Sequence, residues 1–87
     1  MIKAYDLVPH TGQKSFYGKA RIVEDGDVKK LFSYETHVAT IENGKLTILG
    51  HYSSATTWRH IRSFAYLNGF ELASNEKMFK MYSKGDN

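Results

Sequence analysis

Ser53-Ser54-Ala55-Thr56-Thr57-Trp58-Arg59-His60-Ile61-Arg62-Ser63-Phe64-Ala65-Tyr66-Leu67-Asn68-Gly69-Phe70 reads as one capped α-helix with two chemically different faces, and its reading decides the fold. At about 100° per residue, Thr57, Trp58, His60, Ile61, Phe64, Ala65 and Leu67 share a broad apolar arc, while Arg59, Arg62, Ser63 and Tyr66 fall opposite. The first arc is a core face. Ser53, Ser54 and Thr56 are candidate N-caps, because a side-chain hydroxyl there accepts from first-turn amides that have no helical partner. Gly69 supplies the left-handed stop, with Phe70 placed for the apolar contact that accompanies it.

The residues before the helix read as strands. From Ser15 to Glu24 the pattern alternates, with Phe16, Gly18, Ala20 and Ile22 on one side and Tyr17, Lys19, Arg21 and Val23 on the other, as in a half-buried strand. Glu24-Asp25-Gly26-Asp27 turns the chain. Val28 to Ile41 is rich in strand formers but long for one strand, and its apolar parity shifts midway, which predicts a bulge or bend near Ser33 to Thr36. Asn43-Gly44 provides the two positive-φ residues of a type I′ hairpin, so Lys45 to Tyr52 returns antiparallel to Thr36 to Ile41. Ile2, Ala4 and Leu7 suggest a short arm or edge strand ahead of the polar loop around Pro9.

After the helix, Ser74 to Tyr82 carries Met78, Met81 and Tyr82 at helical spacing behind a Ser74 cap, and Leu72 and Phe79 would also suit a strand. The expected architecture is α+β: an antiparallel meander of three to four strands packed against one amphipathic helix, with a short C-terminal helix. One domain over 1–82 and a loose tail over 83–87 complete the reading.

Composition narrows the class. With 87 residues the chain holds one small domain, and 41% hydrophobic residues, including five Phe, six Tyr and one Trp, supply its core. There is no cysteine, which removes disulfides, a thiol nucleophile and cysteine-containing zinc sites. Neither a long apolar run nor a signal-peptide core is present, Asp6 interrupting the N-terminus, so a cytoplasmic protein without membrane contact is expected. Twelve Lys plus Arg against nine Asp plus Glu give a net charge of +3, compatible with a polyanionic partner and equally with solubility alone.

The chemistry-bearing residues do not converge on a catalytic set. His10, His37, His51 and His60 lack the i, i+3 or i+4 pairing of metal ligands, and no cofactor or metal is expected. Gly12-Gln13-Lys14-Ser15 resembles the end of a phosphate loop, but its upstream glycine is missing and a strand follows where a helix is needed. No nucleophile elbow is present, and Glu24, Asp25 and Asp27 cluster on a turn that explains them. A binding protein and not an enzyme is expected. Two surfaces are candidates for partner binding. Arg59, Arg62 and Tyr66 form one, with Arg62 and Tyr66 at i, i+4 where guanidinium and ring can stack. Tyr17, Lys19 and Arg21 form the other, an aromatic among cations suited to stacking a base. A solvated helix face and an ordinary exposed strand account for the same residues without any partner.

Lys14 to Ala20, Ser33 to Ala39 and Tyr52 to Ile61 with Asn68-Gly69-Phe70 together resemble a family of small domains carried by phages and other mobile elements of Gram-positive bacteria; Tyr52-Ser53 with Thr56-Thr57 and Arg59-His60-Ile61 is the most specific portion. The resemblance implies an accessory protein, of a size common among anti-CRISPR inhibitors, that occupies a host protein or nucleoprotein complex, with RNA or DNA as a further partner, as a monomer or homodimer. A free-standing nucleic-acid-binding module is the alternative.

Overall fold

A computed structural model describes residues 2–83. Five strands, β1 (Ile2–Asp6), β2 (Ala20–Asp25), β3 (Val28–Ser33), β4 (Thr36–Glu42) and β5 (Lys45–Ile48), are followed by α1 (Ala55–Leu67) and α2 (Asn75–Tyr82). The strands form one sheet in the order β1-β2-β3-β4-β5, each antiparallel to its neighbour. This is the α+β meander expected, with one strand more, since the N-terminal arm pairs fully with β2 from Ile2↔Asp25 to Asp6↔Arg21.

Tight reversals set the strand ends. Asn43 and Gly44 both have positive φ, as a type I′ turn requires. The long segment expected from Val28 to Ile41 is two strands and not one bent strand, because Tyr34 and Glu35 also both take positive φ and reverse the chain completely. The parity shift is real but lies outside Ser33 to Thr36: the β3–β4 register slips between Leu31 and Phe32, so Ala39 faces Leu31 and His37 faces Phe32, with Val38 the extra residue. The strand expected from Ser15 starts only at Ala20, since Tyr17 and Gly18 form another positive-φ pair closed by the Lys19 N–H on the Phe16 carbonyl at 3.0 Å. The strand expected to reach Tyr52 ends at Ile48.

Helix α1 begins at Ser54, whose Oγ accepts from the Thr57 N–H at 3.3 Å. It ends with Gly69 at φ 84, where the Phe70 N–H reaches the Ala65 carbonyl at 2.9 Å and the Gly69 N–H reaches Tyr66 at 3.1 Å, a complete Schellman motif. Both ends are thus satisfied as the local sequence requires. Trp58, Ile61, Phe64 and Ala65 bury against Ala20, Ile22, Leu31, Ile41, Leu46 and Ile48 of the sheet. Two positions depart from the expected arc. Leu67 is 52% exposed, and Ser63, expected outward, is 1% exposed because the β1–β2 loop lies over it.

Segment 74–82 resolves to helix, with Ser74 accepting from the Lys77 N–H and Met78 buried in the common core. Met81 is exposed. Ser83 bridges Ile48, one residue past the expected domain boundary, and residues 84–87 of the expected tail lie outside the described residues. Among the described residues no helix is long and apolar enough to cross a membrane.

Candidate functional site

Both helices lie on the face of the sheet that carries Ala20, Ile22 and Leu31, so Arg21, Val23 and Phe32, one step along each strand, point to the other side. That second face has no layer over it among the described residues. The two candidate surfaces therefore sit on opposite sides of the molecule.

The helix-side surface differs from the expectation in one important respect. Arg59 is exposed and has no hydrogen bond or ion pair among the described residues, as the helical projection implies. Arg62 is not free. Its Nη1 donates to the Ala73 carbonyl and reaches Asn75 Oδ1 at 3.4 Å and Met78 Sδ at 3.5 Å, so the side chain ties α1 to the start of α2. The correction has a physical cause: the projection of an isolated helix cannot include the segment that folds back over it. Tyr66 is 56% exposed, but its ring packs on His10 with centroids 4.8 Å apart, and not on Arg62. His10 is itself held to α1, its backbone N–H donating to Ser63 Oγ at 3.2 Å and its Nδ1 lying 2.7 Å from the same oxygen. Arg59 and Arg62 thus border a groove between α1 and the loop of His10, not a flat helix face.

On the bare sheet face, Ala4, Val23 and Phe32 floor a groove of about 540 Å³ whose rim includes Lys19, Arg21, Tyr34 and Glu35. The small side chain of Ala4 opposite Val23 leaves the depression open. Two of the three residues named for this face, Lys19 and Arg21, line it; Tyr17 does not. Its positive φ takes it out of the strand row, and its ring projects from the turn with 74% exposure. Tyr34 takes the aromatic's place. It is 50% exposed, with Lys19 Nζ 5.8 Å from the ring centroid. Phe32 stacks with His37 at 5.1 Å and 25°, and His37 Nε2 lies 2.7 Å from Thr40 Oγ1. Burial first, then the Lys30 ammonium, keep the His37 imidazole below its ordinary range, so it adds a neutral ring. Arg21 pairs with Asp6 at 4.0 Å on this open surface, where such a pair is weak.

Phe32 and Tyr34 were not singled out in the sequence. Phe32 was legible from the outward parity of Lys30 and Phe32, but Tyr34 carries no local turn signal and is placed only by the pairing of β3 with β4.

The four histidines stand apart: His10 is with Ser63, His37 with Thr40, His51 against Phe79, and His60 with Ser33. Among the described residues no group of three potential ligands could hold a metal ion.

The arrangement defines a small two-layer α+β domain with one covered and one uncovered sheet face. Residues 5–81 match a family of unknown function, DUF8033, and the chain belongs to that family. No curated protein and no solved structure matches the chain.

Proposed function

We propose that this chain is a non-catalytic binding domain whose working surface is the uncovered sheet face, and that the ligand is single-stranded nucleic acid. The observation that carries the reading is the juxtaposition on one open groove of an apolar and aromatic floor with Lys19 and Arg21 at the rim. Stacking platforms flanked by cations suit a strand with unpaired bases, since rings hold base faces while ammonium and guanidinium groups track phosphates. The net charge of +3 is compatible with the same class.

The sharper form, an accessory protein of a mobile element that covers a host nucleic-acid-processing machine such as a CRISPR effector, rests on the sequence resemblance alone. In that form the same face would meet a protein or a nucleoprotein.

Fluorescence polarisation with labelled single-stranded RNA and DNA, repeated across a salt series, tests the proposal. Binding that weakens linearly in log–log with salt, and that falls in Arg21→Ala and Tyr34→Ala but not in Tyr17→Ala, is the expected result. Failure to bind any single strand at low salt overturns it. Capture of a nuclease-resistant protein complex by the same face would transfer the surface to a protein partner.

A further inference from the structure

We propose that the groove between the β1–β2 loop and α1 is a binding site for a phosphate group, with Arg59, Arg62, His10 and Thr11 as its donors. The loop is fixed in place: Leu7, Pro9 and Phe16 are buried, and His10 is bonded to Ser63 by both its backbone and its ring. The groove left beside it holds about 490 Å³, with Phe16 as its floor and no carboxylate in its lining.

The donors follow from a proton inventory. Ser63 Oγ is buried, and among the described residues the only atoms bonded to it are the His10 N–H, which donates, and His10 Nδ1. The hydroxyl proton therefore has a single acceptor, Nδ1. An imidazole that accepts at Nδ1 carries its proton on Nε2, so His10 presents an N–H that has no partner among the described residues. Arg59 has no partner for its donors among the described residues. The bonds that hold Arg62 all leave from Nη1, so Nη2 and Nε remain for a ligand. Thr11 Oγ1 accepts only a long 3.5 Å contact from the Gln13 N–H, which leaves its O–H to donate.

Every one of these groups can donate and two are permanently cationic, so the groove favours an anion rich in acceptor oxygens. A terminal phosphate, with a charge of about −1.5 to −2 near neutral pH, balances two guanidiniums, whereas a carboxylate balances one. The guanidinium fork also matches phosphate oxygens in pairs.

The test is a titration of the intact protein with inorganic phosphate against chloride at constant ionic strength, followed by the His10 ring and backbone NMR signals. Saturable shifts confined to His10, Thr11, Arg59, Arg62 and Ser63 are expected, with affinity falling about tenfold in Arg59→Ala, the effect of losing one charge-assisted contact, and unchanged in Arg21→Ala. Adenosine monophosphate, and an oligonucleotide with and without a 5′-phosphate, identify the source of the group. Tighter binding of the mononucleotide assigns the site to a small ligand, and a preference for the 5′-phosphorylated strand assigns it to a nucleic-acid end. A response that does not saturate, that chloride reproduces, or that Arg59→Ala retains at full affinity overturns the site. Arg21 lies on the other face, so these outcomes stand apart from those of the sheet-face proposal.

Discussion

Ser33 Oγ on β3 lies 2.8 Å from His60 Nδ1 on α1, and this pair joins sheet to helix where neither residue meets solvent. Thr57 Oγ1, 3.4 Å from the same serine, is the third member, and the rings of Phe16 and Tyr34 flank the imidazole at 4.6 and 5.8 Å. His60 Nε2 has no partner among the described residues. The histidine therefore acts as a core residue, neutral and wedged between aromatic rings.

The titration of His60 gives the first prediction. Burial lowers its pKa below the ordinary imidazole value, so the folded chain refuses a proton that the unfolded chain accepts below about pH 6.5. Stability is then full above that pH and declines as pH falls through it, levelling off below the folded-state value. His37 shifts in the same direction. Melting temperatures across this range should show the decline in the wild type and a flatter profile in Ser33→Ala/His60→Leu, which removes both partners and the unpaired nitrogen together. Parallel profiles would assign the effect elsewhere.

The two arginines of α1 should separate in stability. Arg59→Ala, at an exposed position without partners, should stay within about 0.5 kcal/mol of the wild type. Arg62→Ala removes the donor to the Ala73 carbonyl and should cost about 1–3 kcal/mol. Phe64→Ala, fully buried, should cost about 3–5 kcal/mol through the cavity it leaves. Urea melts of the three rank them, and equal behaviour of the two arginine variants would mean that Arg62 does not tie α1 to α2.

At Gly69 a β-carbon would meet nothing within 4 Å, while φ is 84°. Any cost of substitution is therefore conformational and not steric. Gly69→Ala should lose more than ~1 kcal/mol, and Gly69→Asn, whose side chain tolerates the left-handed region, should recover part of it. Equal melting temperatures for the two variants would contradict the Schellman cap.

What could be read from the chain divides by range. The helix, its Ser54 and Gly69 caps, the Asn43-Gly44 hairpin and the Ser74 cap are local, because each depends on residues within one turn of one another. Arg62 and Ser63 could not be placed that way, since α2 and the loop of His10, distant in sequence, cover them. Lys19 and Arg21 were placed correctly by period-two alternation, but the same alternation carried Tyr17 into a strand row that the turn at Tyr17-Gly18 breaks. The Tyr34-Glu35 reversal was legible only as a bend, because neither residue is the Gly or Asn that such a turn favours. Its conformation comes from the pairing of Ser33 with Thr36.

That last turn holds two bulky residues at φ 52 and 77, where a side chain other than Gly or Asn is unfavourable by about 1–2 kcal/mol per residue. Strain kept at one rim of an open groove fits a contact role for Tyr34 beside the packing of its ring on His60. Replacing Tyr34-Glu35 with Asn-Gly should therefore raise stability by about 1 kcal/mol while weakening single-strand binding, because the turn relaxes and the ring beside Lys19 is gone. Glu35→Gly alone keeps the ring, and should raise the melting temperature while leaving binding intact. Thermal melts and polarisation on the same samples decide it. A stabilised Asn-Gly variant that binds as tightly as the wild type would remove Tyr34 from the site, and loss of stability in Glu35→Gly would show that the turn is not strained.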